Sequence, residues 1–123
     1  MTWLMVAAGG AAGSMARYGV ATAMTRWNGS PVPYATAIVN VAGCAIAGLL
    51  LGLVASSRLT LSVDQRALIF SGLLGGLTTF SGVGIDTLAL LQEGRGTAAL
   101  VNVAAQILIG LAALGACFAA ARS

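Results

Sequence analysis

The residues of this sequence that could do chemistry are few, and most are uncharged polar side chains placed among apolar ones. Asp64, Asp86 and Glu93 are the only acidic residues, and there is no histidine. General acid–base catalysis, nucleophilic triads and zinc sites therefore lack their usual side chains. Cys44 and Cys117 lie in apolar segments without metal-ligand spacing, so we interpret them as small buried side chains. An enzyme is not expected.

Two stripes of polar and small residues recur every four positions, the spacing that places side chains on one face of a helix. They are Thr36, Asn40 and Cys44 in one segment and Asn102, Gln106 and Gly110 in another. Polar groups in hydrocarbon are costly unless paired, so they commonly mark a substrate or ion pathway. Interhelical hydrogen bonds that only hold the helices together are the alternative, which fits Thr36 and Asn102 better than Asn40 and Gln106.

A third segment, Gly72 to Gly84, crowds glycines and hydroxyl side chains into an apolar stretch. We do not expect a regular helix there. Breaks at membrane depth occur where the freed backbone is buried in protein or lines a cavity, and their carbonyl groups commonly hold cations. The segment predicts a small buried cation site, and a kinked but continuous helix packed through its glycines is the alternative.

Two charged residues lie within apolar segments. Arg17 is a permanent cation that would draw anions toward a nearby vestibule, although its side chain could instead extend to the membrane interface. Asp86 is interpreted as structural, either pairing with an arginine or marking the same interface.

The elements that must position these residues are membrane-spanning helices. Of the 123 residues, 59% are hydrophobic and 7% are charged, whereas soluble domains carry about a quarter charged residues. A bilayer core about 30 Å thick takes about 20 apolar residues per helix. Spans are predicted at 3–24, 33–55, 67–92 and 97–121, which form a single four-helix transmembrane domain over 1–123. We expect the first segment to be a retained helix and not a cleaved signal peptide.

Glycine and turn residues organise the predicted bundle. Pairs of glycines four residues apart predict close helix packing; they are Gly9 and Gly13, Gly48 and Gly52, and Gly72 and Gly76. Turns are predicted at 27–31, 56–65 and 93–96, and Ser62 with Gln65 matches a capping box before the third span.

The net charge of +3 comes from six arginines. They stand singly near helix ends, which indicates membrane topology signals and not a nucleic-acid surface. Arg58, Arg66 and Arg122 fall on one side of the predicted membrane, and Arg26 and Arg95 fall on the other. Arg17 lies toward the second side, and counting it gives three arginines on each side. The positive-inside rule therefore barely specifies an orientation.

These landmarks together resemble the Fluc or CrcB family of small bacterial fluoride channels. The similar segments are Gly9 to Tyr18 in the first helix, Thr36 to Gly43 in the second, Gly75 to Ser81 in the third, and Asp86 with the Glu93-Gly94-Arg95 loop. The resemblance covers nearly the whole chain.

The resemblance implies a dual-topology dimer in the bacterial cytoplasmic (inner) membrane, with two antiparallel four-helix subunits, fluoride pores along their interface and a structural sodium ion. Backbone carbonyls of Gly75 and Thr78 would hold sodium. Asn40 would donate its amide to fluoride, Phe80 would present its ring edge, and Arg17 would face the vestibule. Thr36, Thr79, Ser81, Asn102 and Gln106 would complete the polar pathway. The implied activity is passive fluoride efflux that gives fluoride resistance, without an organic cofactor or nucleic acid.

The sequence departs from the pattern at four positions. Val83 stands where the family usually has a second pore phenylalanine, and Gly82 replaces a threonine. Asn102 and Gln106 replace tyrosine and serine. The chain is therefore predicted to form a homodimer or a heterodimer with a similar subunit. The alternative function is a non-conducting or half-degenerate partner subunit of a heterodimeric fluoride channel. A small dual-topology exporter of organic cations is disfavoured, because the first helix contains Arg17 and no acid.

Overall fold

The computed structural model describes residues 1–29 and 34–123, which form helices and no strand. The described residues do not include Ser30 to Pro33. The end of the first predicted turn and the first residue of the second predicted span fall in this gap. The helices are α1 (Thr2–Asn28), α2 (Tyr34–Ala55), α3 (Val63–Arg66), a π-helical segment (Ala67–Leu74), α4 (Gly75–Leu77), α5 (Phe80–Gln92) and α6 (Gly96–Arg122). We call the stretch from α3 to α5 the third span.

Three helical stretches among the described residues are long and apolar enough to cross a membrane. They are Tyr34–Ala55, Val63–Gln92 and Gly96–Arg122, with 22, 30 and 27 residues. The prediction of a multi-spanning membrane protein is confirmed for these three. α1 also has 27 residues, but its Gly, Ser, Thr and Arg residues make it less apolar than the other three.

Two side-chain contacts show that the chain returns to the end of the bundle where it starts. Thr2 donates a hydrogen bond to the Asp64 carboxylate at 2.6 Å. Arg58 donates to the backbone carbonyl of Ser123 at 3.2 Å. The amino terminus, the turn between α2 and α3, and the carboxyl terminus therefore lie together.

All three predicted glycine pairs lie where helices approach most closely. A methyl group at Gly9 would lie 2.8 Å from the Leu73 nitrogen, and one at Gly72 would lie 2.9 Å from the Gly9 Cα atom. On the other side of the bundle, a methyl group at Gly48 would lie 2.9 Å from the Leu114 Cα atom. Small residues let helix backbones touch in this way. α1 therefore packs on the first half of the third span, and α2 packs on α6.

The third span is broken near its middle, as the sequence predicts. Its start is fixed by the predicted capping box, in which Ser62 accepts from the Gln65 backbone N–H and Gln65 accepts from the Ser62 N–H. Thr78 (ψ 154°) and Thr79 (φ −153°, ψ 120°) are extended. The Thr79 hydroxyl then accepts from the Gly82 N–H at 2.9 Å and caps the start of α5. The break thus separates two capped half-helices.

Candidate functional site at the helix break

Asn40 holds the extended backbone at the break. Its Oδ1 accepts a hydrogen bond from the Thr79 N–H at 2.8 Å, and its Nδ2 donates to the Thr79 carbonyl at 3.2 Å. Backbone groups that a break exposes at membrane depth must find partners. A primary amide has both a donor and an acceptor, so one side chain on α2 satisfies both groups of Thr79.

The break also deprives the carbonyl groups of residues 75–78 of their α-helical donors. In a continuous helix the Thr79 N–H would bond to the Gly75 carbonyl, but it donates to Asn40. The Gly82 N–H would bond to the Thr78 carbonyl, but it donates to the Thr79 hydroxyl. The carbonyls of Gly75 and Thr78 are thereby left without their α-helical partners. The carbonyl of Gly76 loses its helical donor as well, and it accepts a hydrogen bond from Arg17 at 3.1 Å instead.

The two predicted polar stripes face each other. Asn40 Nδ2 donates to Gln106 Oε1 at 2.7 Å, and Gln106 Nε2 donates to Asn102 Oδ1 at 3.0 Å. Asn102 Nδ2 donates to the Thr87 hydroxyl at 3.2 Å, which donates to the Val83 carbonyl. All four hydrogen bonds run in the same direction along the chain of side chains. We call this chain from Asn40 to Thr87 the amide relay.

A cavity of about 230 Å³ lies between the relay and the start of α5. Asn40, Phe80, Val83 and Gln106 line it, together with Cys44, Thr78, Thr79 and Ile107. Gln106 is 6% exposed and Val83 is 7% exposed, whereas Phe80 is 84% exposed. The cavity therefore has a buried amide at one side and an aromatic ring on the open surface of the subunit.

A second cavity, of about 390 Å³, lies on the other side of Thr79. Its lining includes Arg17, Thr36 and Thr79, together with Ser14, Tyr18, Ala21 and Gly82. The Thr79 hydroxyl also lies 3.0 Å from the Ser81 hydroxyl. Thr79 borders both cavities, so a row of hydroxyl and amide groups connects the cationic side chain with the buried amide of Gln106.

Most residues predicted for the pathway lie at this break. Asn40, Thr79, Phe80 and Gln106 border the first cavity. Thr36 and Arg17 border the second, Ser81 contacts Thr79, and Asn102 joins the relay without lining either cavity. Thr87 is a member of the relay that the sequence does not predict, although a hydroxyl within the third span is a usable signal.

Asp86 remains without the partner that its position suggested. Its Oδ2 atom is buried and has no hydrogen-bond partner among the described residues. The ion pair found in this part of the chain joins Arg95 and Glu93 at 3.2 Å. Both of those side chains are largely exposed, so their pairing contributes little to stability.

Clustered metal-ligating side chains are not present at the break. Within residues 1–29 and 34–123, no group of three His, Cys, Asp or Glu side chains could hold a metal ion. Any cation at this site would therefore be held by backbone carbonyl and hydroxyl oxygens, which suit hard cations such as sodium.

Comparison with known proteins connects this arrangement to one family. The family described as "CrcB-like protein, Camphor Resistance (CrcB)" matches residues 4–118. A fluoride-specific ion channel FluC of Methylobacillus flagellatus is 42% identical over 109 residues, which cover 88% of this chain and 84% of that protein. Proteins with the same name from Rhizobium johnstonii and Chloroflexus aurantiacus are 38% and 40% identical, covering 98% and 90% of this chain and 95% and 87% of the relatives.

Proposed function

The chain belongs to the CrcB family, and from this premise we propose that it is a subunit of a fluoride-selective channel that lets fluoride leave the cell passively and so gives fluoride resistance. The observation that supports the proposal is the helix break, which Asn40 holds through two hydrogen bonds to Thr79. The break lies between two cavities, one lined by Arg17 and the other by Gln106. The relatives at 38–42% identity are named fluoride-specific ion channels, and a channel is not an enzyme.

The proposed path follows the polar groups that border Thr79. Fluoride is small and strongly hydrated, so a selective path must replace its water with closely placed donors that still release it. Arg17 and Thr36 provide a cationic entrance, and the hydroxyls of Thr79 and Ser81 lead past the break. Phe80 then offers the positive edge of its ring beside the amides of Asn40 and Gln106. Asn102 continues the polar row one helical turn along α6.

The proposal includes a structural sodium ion held by the carbonyls of Gly75 and Thr78. Those two carbonyls are among the ones that lose their helical donors at the break, whereas the carbonyls of Gly76 and Thr79 accept hydrogen bonds from Arg17 and Asn40. Bound sodium would neutralise the negative ends of these dipoles. The donor set therefore fits a hard monovalent cation.

We further propose four membrane spans and an antiparallel dimer in the bacterial cytoplasmic (inner) membrane. Both termini lie at one end of the bundle, which fits an even number of crossings and supports α1 as the fourth span. Phe80 and Ser81 are exposed on the single subunit, and a second subunit would enclose the path that they border. The near-equal distribution of arginines accommodates insertion in both orientations. The partner is a second copy or a similar chain.

Fluoride efflux from liposomes that contain only the purified chain tests this function. A fluoride electrode follows release after a potassium ionophore removes the opposing voltage, and chloride-loaded vesicles serve as the control. Fast fluoride release without chloride leak is the expected result. Absence of release would contradict conduction by this chain alone and would direct the search to a heteromeric partner by co-purification.

A further inference from the structure

The turn that follows α2 places an arginine beside the end of α6. Ser57 has a φ of 60°, in the left-handed region, and the Arg58 N–H bonds back to the Leu53 carbonyl at 3.0 Å, which closes the turn. The Arg58 side chain then donates to the backbone carbonyl of Ser123 at 3.2 Å. The guanidinium group of Arg58 therefore lies against the residue that follows Arg122 in the chain.

Direct packing of α2 on α6 holds these two helix ends together. A methyl group at Gly52 would lie 2.7 Å from the Ala121 Cβ atom, so the two backbones touch within a turn of their ends. The Ser56 hydroxyl donates to the Ala121 carbonyl at 3.4 Å. The positions of Arg58 and Arg122 relative to each other are thus set by the contact between the two helices.

The positive charge of these two arginines is not neutralised within the described part of the chain. Both side chains are exposed, and neither forms an ion pair with a carboxylate there. Asp64, the acidic residue at this end of the bundle, accepts a hydrogen bond from Thr2. Arg58 uses one of its five N–H donors on the Ser123 carbonyl. Several guanidinium N–H donors therefore remain for an anionic partner.

The depth of the two helix ends indicates which anion they meet. α2 and α6 have 22 and 27 residues and are apolar enough to cross a membrane; at 1.5 Å per residue they extend about 33 and 40 Å. Their shared end therefore lies where the hydrocarbon core gives way to lipid headgroups. Anionic lipids attract arginines at this depth. A cavity of about 370 Å³ beside Arg122 and Ser123 has room for a phosphate group.

We propose that Arg58 and Arg122 form a binding site for the headgroup of an anionic phospholipid. Each planar guanidinium group can donate two parallel hydrogen bonds to phosphate oxygens. A zwitterionic headgroup would bring its own ammonium group toward the same cationic surface, so phosphatidylglycerol should bind more tightly than phosphatidylcholine. The inference depends on the membrane-spanning fold and not on fluoride conduction, so its failure would leave the proposed function standing.

Lipid binding to the purified full chain tests this site. Native mass spectrometry of the protein in detergent, titrated with phosphatidylglycerol or phosphatidylcholine, measures the affinity for each lipid. An arginine near an anionic surface contributes about fivefold in affinity, so the double variant Arg58→Gln and Arg122→Gln should bind phosphatidylglycerol about 30-fold more weakly. Arg26→Gln is the matched control, because Arg26 is also an exposed arginine in the last turn of a 27-residue helix. It should bind the lipid like the wild type.

The single variant Arg122→Gln separates lipid binding from folding. It leaves the bond from Arg58 to the Ser123 carbonyl intact, and it should bind phosphatidylglycerol about fivefold more weakly. It decides the question if the double variant fails size-exclusion chromatography. Equal affinity of the wild type for the two lipids, or wild-type affinity in the folded Arg122→Gln variant, would overturn the proposal.

Inorganic phosphate distinguishes a lipid site from a site for a soluble anion. Phosphate lacks the acyl chains that hold a headgroup at the membrane interface, so millimolar phosphate should not displace phosphatidylglycerol from the wild type. Full displacement at that concentration would show that Arg58 and Arg122 bind soluble phosphate, and it would overturn the assignment to a lipid.

Discussion

The side chain of Asn40 bonds to the backbone of Thr79 in both directions, accepting from its N–H at 2.8 Å and donating to its carbonyl at 3.2 Å. This reciprocal pair replaces the helical hydrogen bonds that Thr79 lacks in its extended conformation. The break therefore depends on a residue of another helix, and its shape is coupled to the packing of α2 against the third span.

Asn40→Asp should block fluoride conduction. An ionised carboxylate can still accept from the Thr79 N–H, but it donates to neither the Thr79 carbonyl nor Gln106, and its charge repels an anion. Fluoride efflux from liposomes measures the effect. Asn28→Asp, at an exposed position near the end of α1, is the matched control and should conduct normally. Normal efflux through Asn40→Asp would contradict a role for Asn40 at the path.

Phe80→Ile should abolish fluoride efflux while the protein still assembles. Phe80 is 84% exposed on the subunit, so its replacement removes little packing within the bundle but removes the ring edge from the cavity. Efflux and size-exclusion chromatography together separate these two effects. Phe118→Ile, far along α6 from the break, should retain efflux. Unchanged efflux in Phe80→Ile would exclude the ring from the path.

Arg17→Gln should slow efflux several-fold at low ionic strength, because it removes the fixed positive charge beside the second cavity. The deficit should shrink at about 1 M salt, where the screening length is about 3 Å. Efflux measured across a salt series checks this, with Arg26→Gln as an exposed control on the same helix. A deficit that salt does not change would show that the Arg17 bond to the Gly76 carbonyl matters instead.

Replacement of sodium by a bulky organic cation should lower the thermal unfolding midpoint of the purified protein. A ligand that binds only the folded state stabilises it in proportion to the logarithm of its concentration, and the freed carbonyls of Gly75 and Thr78 are the proposed ligands. A sodium titration at constant ionic strength measures the shift. A midpoint independent of sodium would contradict the proposed cation site.

The sequence predicts the break and the facing polar stripes because both depend on local composition and helical periodicity. Glycines and threonines between Gly72 and Gly84 disfavour a continuous helix, and the break occurs at Thr78 and Thr79. The spacing of Asn40 and Gln106 places each on one face of its helix, and the two side chains meet. The capping box at Ser62 is equally local.

The partners of each polar group could not be predicted in the same way. Whether the Asn40 amide donates a hydrogen bond to Thr79 depends on the axial register between α2 and the third span. No local sequence pattern encodes that register. The bond from Arg17 to the Gly76 carbonyl depends on the register of α1 in the same manner. The length and low charge of α1 predict a span, but its small residues pack against the third span and make α1 less apolar than the other long helices.

Gly9→Ala should destabilise the bundle, whereas Gly10→Ala should not. A methyl group at Gly9 would overlap the Leu68 carbonyl and lie 2.8 Å from the Leu73 nitrogen, while one at Gly10 would have nothing within 4 Å. The clash is with backbone, which cannot move aside as a flexible side chain could, so a loss of about 1–3 kcal/mol is expected. Gly10→Ala should gain up to about 1 kcal/mol from helix propensity. Thermal unfolding of the two variants in detergent provides the comparison. Equal midpoints would show that α1 does not pack on the third span through Gly9.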